Sequence, residues 1–219
     1  MSFWDIFKKS DKKTAFIEDS NPKSTETNLV KSAIDEIKKN ITQHSWKSIN
    51  IFVDRDYNLY GVPQSEDTTH QITVSIEPVT KLEYPYSDEQ LEEFFKTVFG
   101  FCFSYYVEQD TLVNTRNNPH KNRSPIQNYM KALSWKAAVK DLGLINILWW
   151  KSGEYCGYHV MRTWQNAKMK NAFSFGYIGS NEDVIVPTDY QDYELAKAFR
   201  KVLDVLAIGP CDKNPYENE

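Results

Sequence analysis

Asp54, Asp56 and Asn58 stand at alternate positions of a short polar stretch, the spacing at which a calcium loop presents its first three oxygen ligands. Such a loop also needs Gly at its sixth position for the turn and Glu at its twelfth as a bidentate ligand. Leu59 and Ser65 occupy those places, so Asp54 and Asp56 are expected to be solvated residues of a hairpin turn. His44, His70, His120 and His159 show no pairing four residues apart, and Cys102, Cys156 and Cys211 are widely separated, so no metal-ligand spacing occurs. Cys156 with His159 could form a thiolate–imidazole pair, but residues three apart on a strand point to opposite faces. Cys156 is therefore expected to pack as a small apolar side chain. Phosphate-cradling loops need clustered glycines. With 8 Gly in the chain neither nucleotide fingerprint is present, nor is the Gly-x-Ser-x-Gly elbow of a hydrolase. Glu92 and Glu93 fall on a helix face where solvation is the default. These residues carry no enzyme signature, and no cofactor is expected.

Charge is distributed unevenly along the 219 residues. Residues 1–110 hold 12 basic and 19 acidic residues, residues 111–181 hold 10 and 2, and residues 182–219 hold 4 and 9. The basic middle places Arg116, Lys121 and Arg123 in one loop, with Arg162, Lys168 and Lys170 further on. Trp149, Trp150, Tyr155, Tyr158 and Trp164 are interleaved with them. Cations neutralise phosphates and aromatics stack on bases, so segment 111–181 has the composition of a single-strand nucleic-acid surface. The alternative is that this block pairs with its acidic flanks and its aromatics fill the core, which the overall net charge of −4 favours.

The elements that must position these residues follow from periodicity. Residues 1–24 form a polar lead-in, expected to be mobile. Val30, Ile34, Ile37 and Ile41 then recur at helical spacing. Ile49, Ile51 and Val53 alternate as a strand does, and Asp54-Arg55-Asp56 turns into Tyr57–Gly61. A further strand is expected at Gln71–Val79. Ser87 and Gln90 form a capping box ahead of Leu91, Phe94, Phe95, Val98 and Phe99. Phe101–Tyr106 is apolar all round, either helix or strand. Residues 109–125 form an Asn-rich loop.

Ser124-Pro125 starts a helix whose face is Ile126, Tyr129, Met130, Leu133 and Ala137, and Gly143 ends it. Leu144–Trp150 and Tyr155–Trp164 pair as strands, with weaker strands at Phe173–Ile178 and Val184–Val186. A last helix runs from Asp189 to about Leu206, ahead of Gly209. No stretch reaches the ~20 apolar residues of a membrane span. Val30, Ile37, Leu91, Phe95, Leu133, Ile147, Phe199 and Val202 are the predicted core.

This order describes an α+β protein with antiparallel sheets packed by helices. A first half at residues 25–110, a second at 126–209 and a polar tail at 210–219 are expected. An offset of 96 lays Ile49-Asn50-Ile51 on Ile145-Asn146-Ile147, and Val30, Ile34 and Ile37 on Ile126, Met130 and Leu133. An offset of 104 lays Leu91, Phe95 and Val98 on Leu195, Phe199 and Val202. The two halves can therefore be an internal duplication of one helix–strands–helix unit, or two amphipathic patterns slid into register.

The amphipathic helix that runs through Ser45-Trp46-Lys47 into Ile49–Val53, in a small, acidic, tryptophan-rich chain, resembles the cytosolic immunity proteins of bacterial toxin systems. The resemblance covers about 30 residues. It implies a cytoplasmic, non-enzymatic module that binds and inhibits a cognate toxin, another protein. The residues expected to meet that partner are Asp54, Asp56, Trp149, Trp150, Glu154 and Trp164. If nucleic acid is the partner instead, Arg116, Lys121, Arg123, Arg162 and Lys168 are expected to contact it.

Overall fold

A computed structural model describes residues 44–67, 72–107, 123–153, 156–169, 172–175 and 184–216. The predicted lead-in, the helix pattern of residues 30–41 (with core residues Val30 and Ile37), Arg116, Lys121 and Glu154 lie outside the described residues.

Alternation builds the centre of the sheet. Strand β1 (Trp46–Val53) turns Ile49, Ile51 and Val53 to one face and Ser48, Asn50 and Phe52 to the other, as a two-residue period requires. Its hairpin partner β2 (Leu59–Asp67) pairs Ile51 with Gly61. The stretch expected as one strand at Gln71–Val79 is shorter. β3 (Ile72–Ser75) and β4 (Thr80–Leu82) both pair with β2. Helix α1 (Asp88–Gly100) starts at the capping box, with Ser87 Oγ accepting from Gln90 N and Gln90 Oε1 from Ser87 N. Gly61 admits it closely, because a Cβ there would sit 2.4 Å from Val98 Cγ2. Phe101–Tyr106 is neither helix nor strand. It leaves α1 in turns, with Phe103 at φ 58°, and Val107 bridges to Asp67.

The helix expected from Ile126 to Ala137 is broken in two. α2 (Pro125–Tyr129) stops at Met130, Lys131 takes φ 52°, and Ser134 caps α3 (Trp135–Val139) by accepting from Ala137 N. Leu133, predicted to be in the core, lies in the break and is 86% exposed. A Ser able to start a new helix outweighed the apolar spacing that ran across it.

Strands β5 (Gly143–Trp150), β6 (Gly157–Asn166), β7 (Ala172–Phe175) and β8 (Val184–Val186) follow, then α4 (Glu194–Asp204) and β9 (Pro210–Cys211). Sheet order is β3-β2-β1-β5-β6-β7, with β4 also on β2, and β8 and β9 also on β6. The named pairings are antiparallel except β6 with β9. The central register sets Ile49 opposite Ile147, Asn50 opposite Asn146 and Ile51 opposite Ile145. Asn146 Nδ2 donates to Asn50 Oδ1 at 3.0 Å and to Ser48 Oγ at 2.9 Å, so three polar residues find partners in one another mid-sheet.

Helices α1 and α4 cover one face, with Phe95, Phe199, Leu91, Leu195 and Val202 packed on Ile49, Ile51, Ile145, Ile147 and Val160. On the other face, α2 and α3 pack around Phe52, Tyr60, Val62 and Leu144. The C-terminal stretch is tied down as far as Tyr216. Its hydroxyl donates to Thr163 O and accepts from Ala207 N, and its ring lies 3.8 Å from the Arg162 guanidinium. Among the described residues no helix is long and apolar enough to cross a membrane.

Candidate functional site

The β1–β2 turn carries the first candidate surface. Asp54 Oδ1 accepts from the backbone N of Asp56 and Asn58, and its Oδ2 from Asn58 Nδ2 and Tyr60 Oη. Partial burial opposes ionisation of Asp54, but these four bonds outweigh it and lower its pKa. Asp54 therefore builds the turn, while Asp56 stands exposed beside it. Around the turn three tyrosines meet, Tyr57 tilted against Tyr84 at 6.0 Å and Tyr84 edge-to-face with Tyr86 at 5.7 Å. Tyr86 Oη donates to Tyr57 O, and Tyr84 N donates to Asn58 Oδ1. Tyr57 and Tyr84 remain 46% and 57% exposed, with Glu83 exposed next to them. This is an aromatic patch whose backbone is already fixed, with Asp56 and Arg55 exposed beside it and Glu83 paired to Lys81 at 2.7 Å.

The opposite end of the β1–β5 pair holds a different chemistry. Register places Lys47 opposite Trp149, and Trp149 opposite Tyr158, so the three form one row across β1, β5 and β6. The next row inward on this face is Ile49–Ile147–Val160, entirely buried. Lys47 itself is only 2% exposed, and its Nζ donates to Phe99 O, at the C-terminal end of α1, at 3.4 Å. Burial pulls its pKa down to about 8, and the nearby Cys102 thiol offsets this only in part. The Trp149 indole Nε1 is shielded from water and has no acceptor among the described residues.

A pocket of about 630 Å³ opens on this row, closed above by α1 and by the turn leading into α4. In that roof Glu92 is already occupied, since Oε2 accepts from Tyr190 Oη and Oε1 from Ala196 N at 2.9 Å. Tyr190 is pushed up by burial and by its bond to Glu92, and Tyr158 by burial and the Glu92 charge. No sequence motif marks the pocket, because its residues come from five separate segments. The one available signal was Lys47, a charge at a position that alternation assigns to the buried face.

The remaining predicted residues are dispersed. Trp149 and Trp150 are half-buried at the Lys47 end of β5, eight residues of strand away from Asp54 and Asp56, so these four do not form one surface. Trp164 is buried at 9% exposure and presents no contact face. Arg162, at 5% exposure, is stacked beneath Tyr216, and Arg123 is half-buried, with its Nε lacking a partner among the described residues. Lys168 is exposed after β6. A cleft of about 870 Å³ on the second face of the sheet is floored by Ser48, Asn50, Asn146 and Leu148. No group of three or more His, Cys, Asp or Glu able to hold a metal occurs among the described residues.

No family model and no curated protein matches the chain. Among solved structures, a protein of unknown function from Neisseria meningitidis is similar, with a TM-score of 0.53 at 12% identity over 74% of this chain and 96% of that one. At that identity the likeness is one of fold, and it agrees with the class of the sheet described above, α+β with antiparallel strands.

Proposed function

We propose that the chain is a non-enzymatic, cytoplasmic protein-binding module that binds and inhibits a cognate toxin, as the resemblance to immunity proteins implies. The supporting observation is the exposed Tyr57–Tyr84 pair, seated on the buried Tyr86, with Asp56 exposed beside it and Glu83 paired to Lys81. Tyrosines supply large contact area at low entropic cost, and energy at interfaces concentrates on such residues. The acids beside them would steer a basic partner and raise its association rate. The alternative, nucleic-acid binding through 111–181, is weakened by the burial of Arg162 and Trp164. We also propose that the halves arose by duplication. Its support is the repeated order of β1–β4 before α1 and β5–β8 before α4, with the central register on Asn50 and Asn146.

The test is co-expression with the product of the adjacent upstream gene, scoring growth protection and a one-to-one complex by size exclusion with light scattering. Protection lost in Tyr84→Ala and slowed association in Asp56→Lys support the proposal. No complex, or patch variants that bind as the parent does, would refute it.

A further inference from the structure

We infer that the pocket on the Lys47–Trp149–Tyr158 row binds a small carboxylate with an aromatic or apolar body, its oxygens held by the Lys47 ammonium and the Trp149 indole N–H. Directly opposed residues on an antiparallel pair bring their Cβ atoms to roughly 5 Å, so these two side chains leave the sheet as neighbours, and both line the pocket. Both are short of acceptors. An ammonium has three N–H groups to place, and Lys47 uses one of them on Phe99 O. Among the described residues no carboxylate pairs with it. A buried cation without a counter-charge is costly, and a buried indole N–H without an acceptor adds to that cost. A ligand carboxylate satisfies both groups at once.

The surroundings narrow the class. Phe95, Phe99, Tyr158 and Tyr190 are among the lining residues, which suits a flat apolar body, and about 630 Å³ is the size of a small-molecule site. The charges facing Lys47 are few. Cys102 approaches from the segment after α1, His44 lies within electrostatic reach ahead of β1 and Lys47 lowers its pKa, Glu92 is held by Tyr190 and Ala196, Lys96 reaches Glu93 at 3.5 Å, and Asp192 is exposed ahead of α4. One cation therefore matches one negative charge, a carboxylate rather than a phosphate dianion. Because burial holds Lys47 near 8, a bound anion would favour its protonated form, and affinity would fall as pH rises through that value. This site is separate from the tyrosine patch and does not rest on the toxin-binding proposal.

The experiment uses the full chain labelled with nitrogen-15 at its tryptophan indoles, titrated with phenylacetate and with the neutral phenylacetamide. The Trp149 indole resonance is identified by its loss in Trp149→Phe. Phenylacetate should shift that resonance saturably, and the amide should bind at least roughly tenfold more weakly, the difference one charge-assisted hydrogen bond makes. Lys47→Met should abolish the preference for the anion. Trp149→Phe, followed by calorimetry, should weaken phenylacetate while keeping the fold should Lys47→Met not fold. Equal binding of acid and amide, or no shift with millimolar phenylacetate, would overturn the proposal and leave Lys47 as a cap on the end of α1.

Discussion

Phe95 of α1 and Phe199 of α4 meet ring to ring, 5.1 Å apart and inclined at 60°, beneath the centre of the sheet. Both are almost completely buried, and each helix holds its apolar stripe to the sheet through this contact. Phe95→Ala or Phe199→Ala should each destabilise by about 3–5 kcal/mol, since each leaves a cavity. The double variant should lose less than the sum, by about 1 kcal/mol, because the ring pair is lost only once. Urea denaturation of the three variants measures both quantities. Additive losses would mean that the two rings do not cooperate.

Lys47 makes stability depend on alkaline pH. Its folded pKa, about 8, lies below its ordinary 10.5, so between those values the unfolded chain binds more protons than the folded one. Stability should therefore rise as pH climbs from about 8 towards 10.5, by at most about 3 kcal/mol. Lys47→Met should be the more stable protein at neutral pH, and its advantage should shrink across that window. Thermal melts at matched ionic strength read the difference. A constant gap between the two proteins would mean that Lys47 titrates normally.

The three cysteines should separate by reactivity. Cys102 is fully buried, burial pushes its thiol up to about 11, and its Sγ donates to Ser48 O. Cys156, expected from the sequence to pack as a small apolar side chain, is instead exposed just ahead of β6, and Cys211 is half-buried. With a disulfide reagent at pH 8, Cys156 should react first, Cys211 more slowly, and Cys102 only on unfolding, because the thiolate is the reacting species. Mass spectrometry of the labelled peptides gives the order.

Where one physical rule dominated, the sequence was legible. Period-two alternation located β1, a capping box located the start of α1, and Phe95, Phe199 and Val202 lie buried as their stripes required. Where two local rules competed, the weaker-looking one prevailed. The apolar spacing through Leu133 lost to Ser134, so Leu133→Ser should change stability by no more than about 0.5 kcal/mol, as an exposed position does. The candidate sites were least legible. Strand register decides that Trp149 meets Lys47 rather than Asp54, and register is set by partners about a hundred residues away. Trp164 and Arg162, grouped by composition with exposed cations, lie on the buried strand β6, which pairs with β5, β7, β8 and β9.

Asp54 and Asp56 look alike in sequence and should behave differently. Asp54 accepts four hydrogen bonds that shape the turn, and Asp56 contributes only its backbone N–H to that network. In Asp54→Asn the new amide nitrogen cannot accept from Asn58 Nδ2 and Tyr60 Oη, so the variant should be destabilised by about 1–3 kcal/mol at neutral pH. Because the folded pKa of Asp54 is lowered, its contribution is present above the ordinary value of 3.8 and is lost as pH falls below it. The parent should therefore lose stability between neutral and acid pH more steeply than Asp54→Asn does, and denaturation at the two pH values should show the curves converging. Asp56→Asn should match the parent at both. Asp56→Lys should keep the parent's stability while slowing association with a basic protein partner, an effect that added salt should erase. A charge reversal at Asp54 would confound turn and surface, so only Asp56 can report on the surface. If Asp56→Lys unfolds the hairpin as Asp54→Asn does, the division of labour between the two acids is wrong.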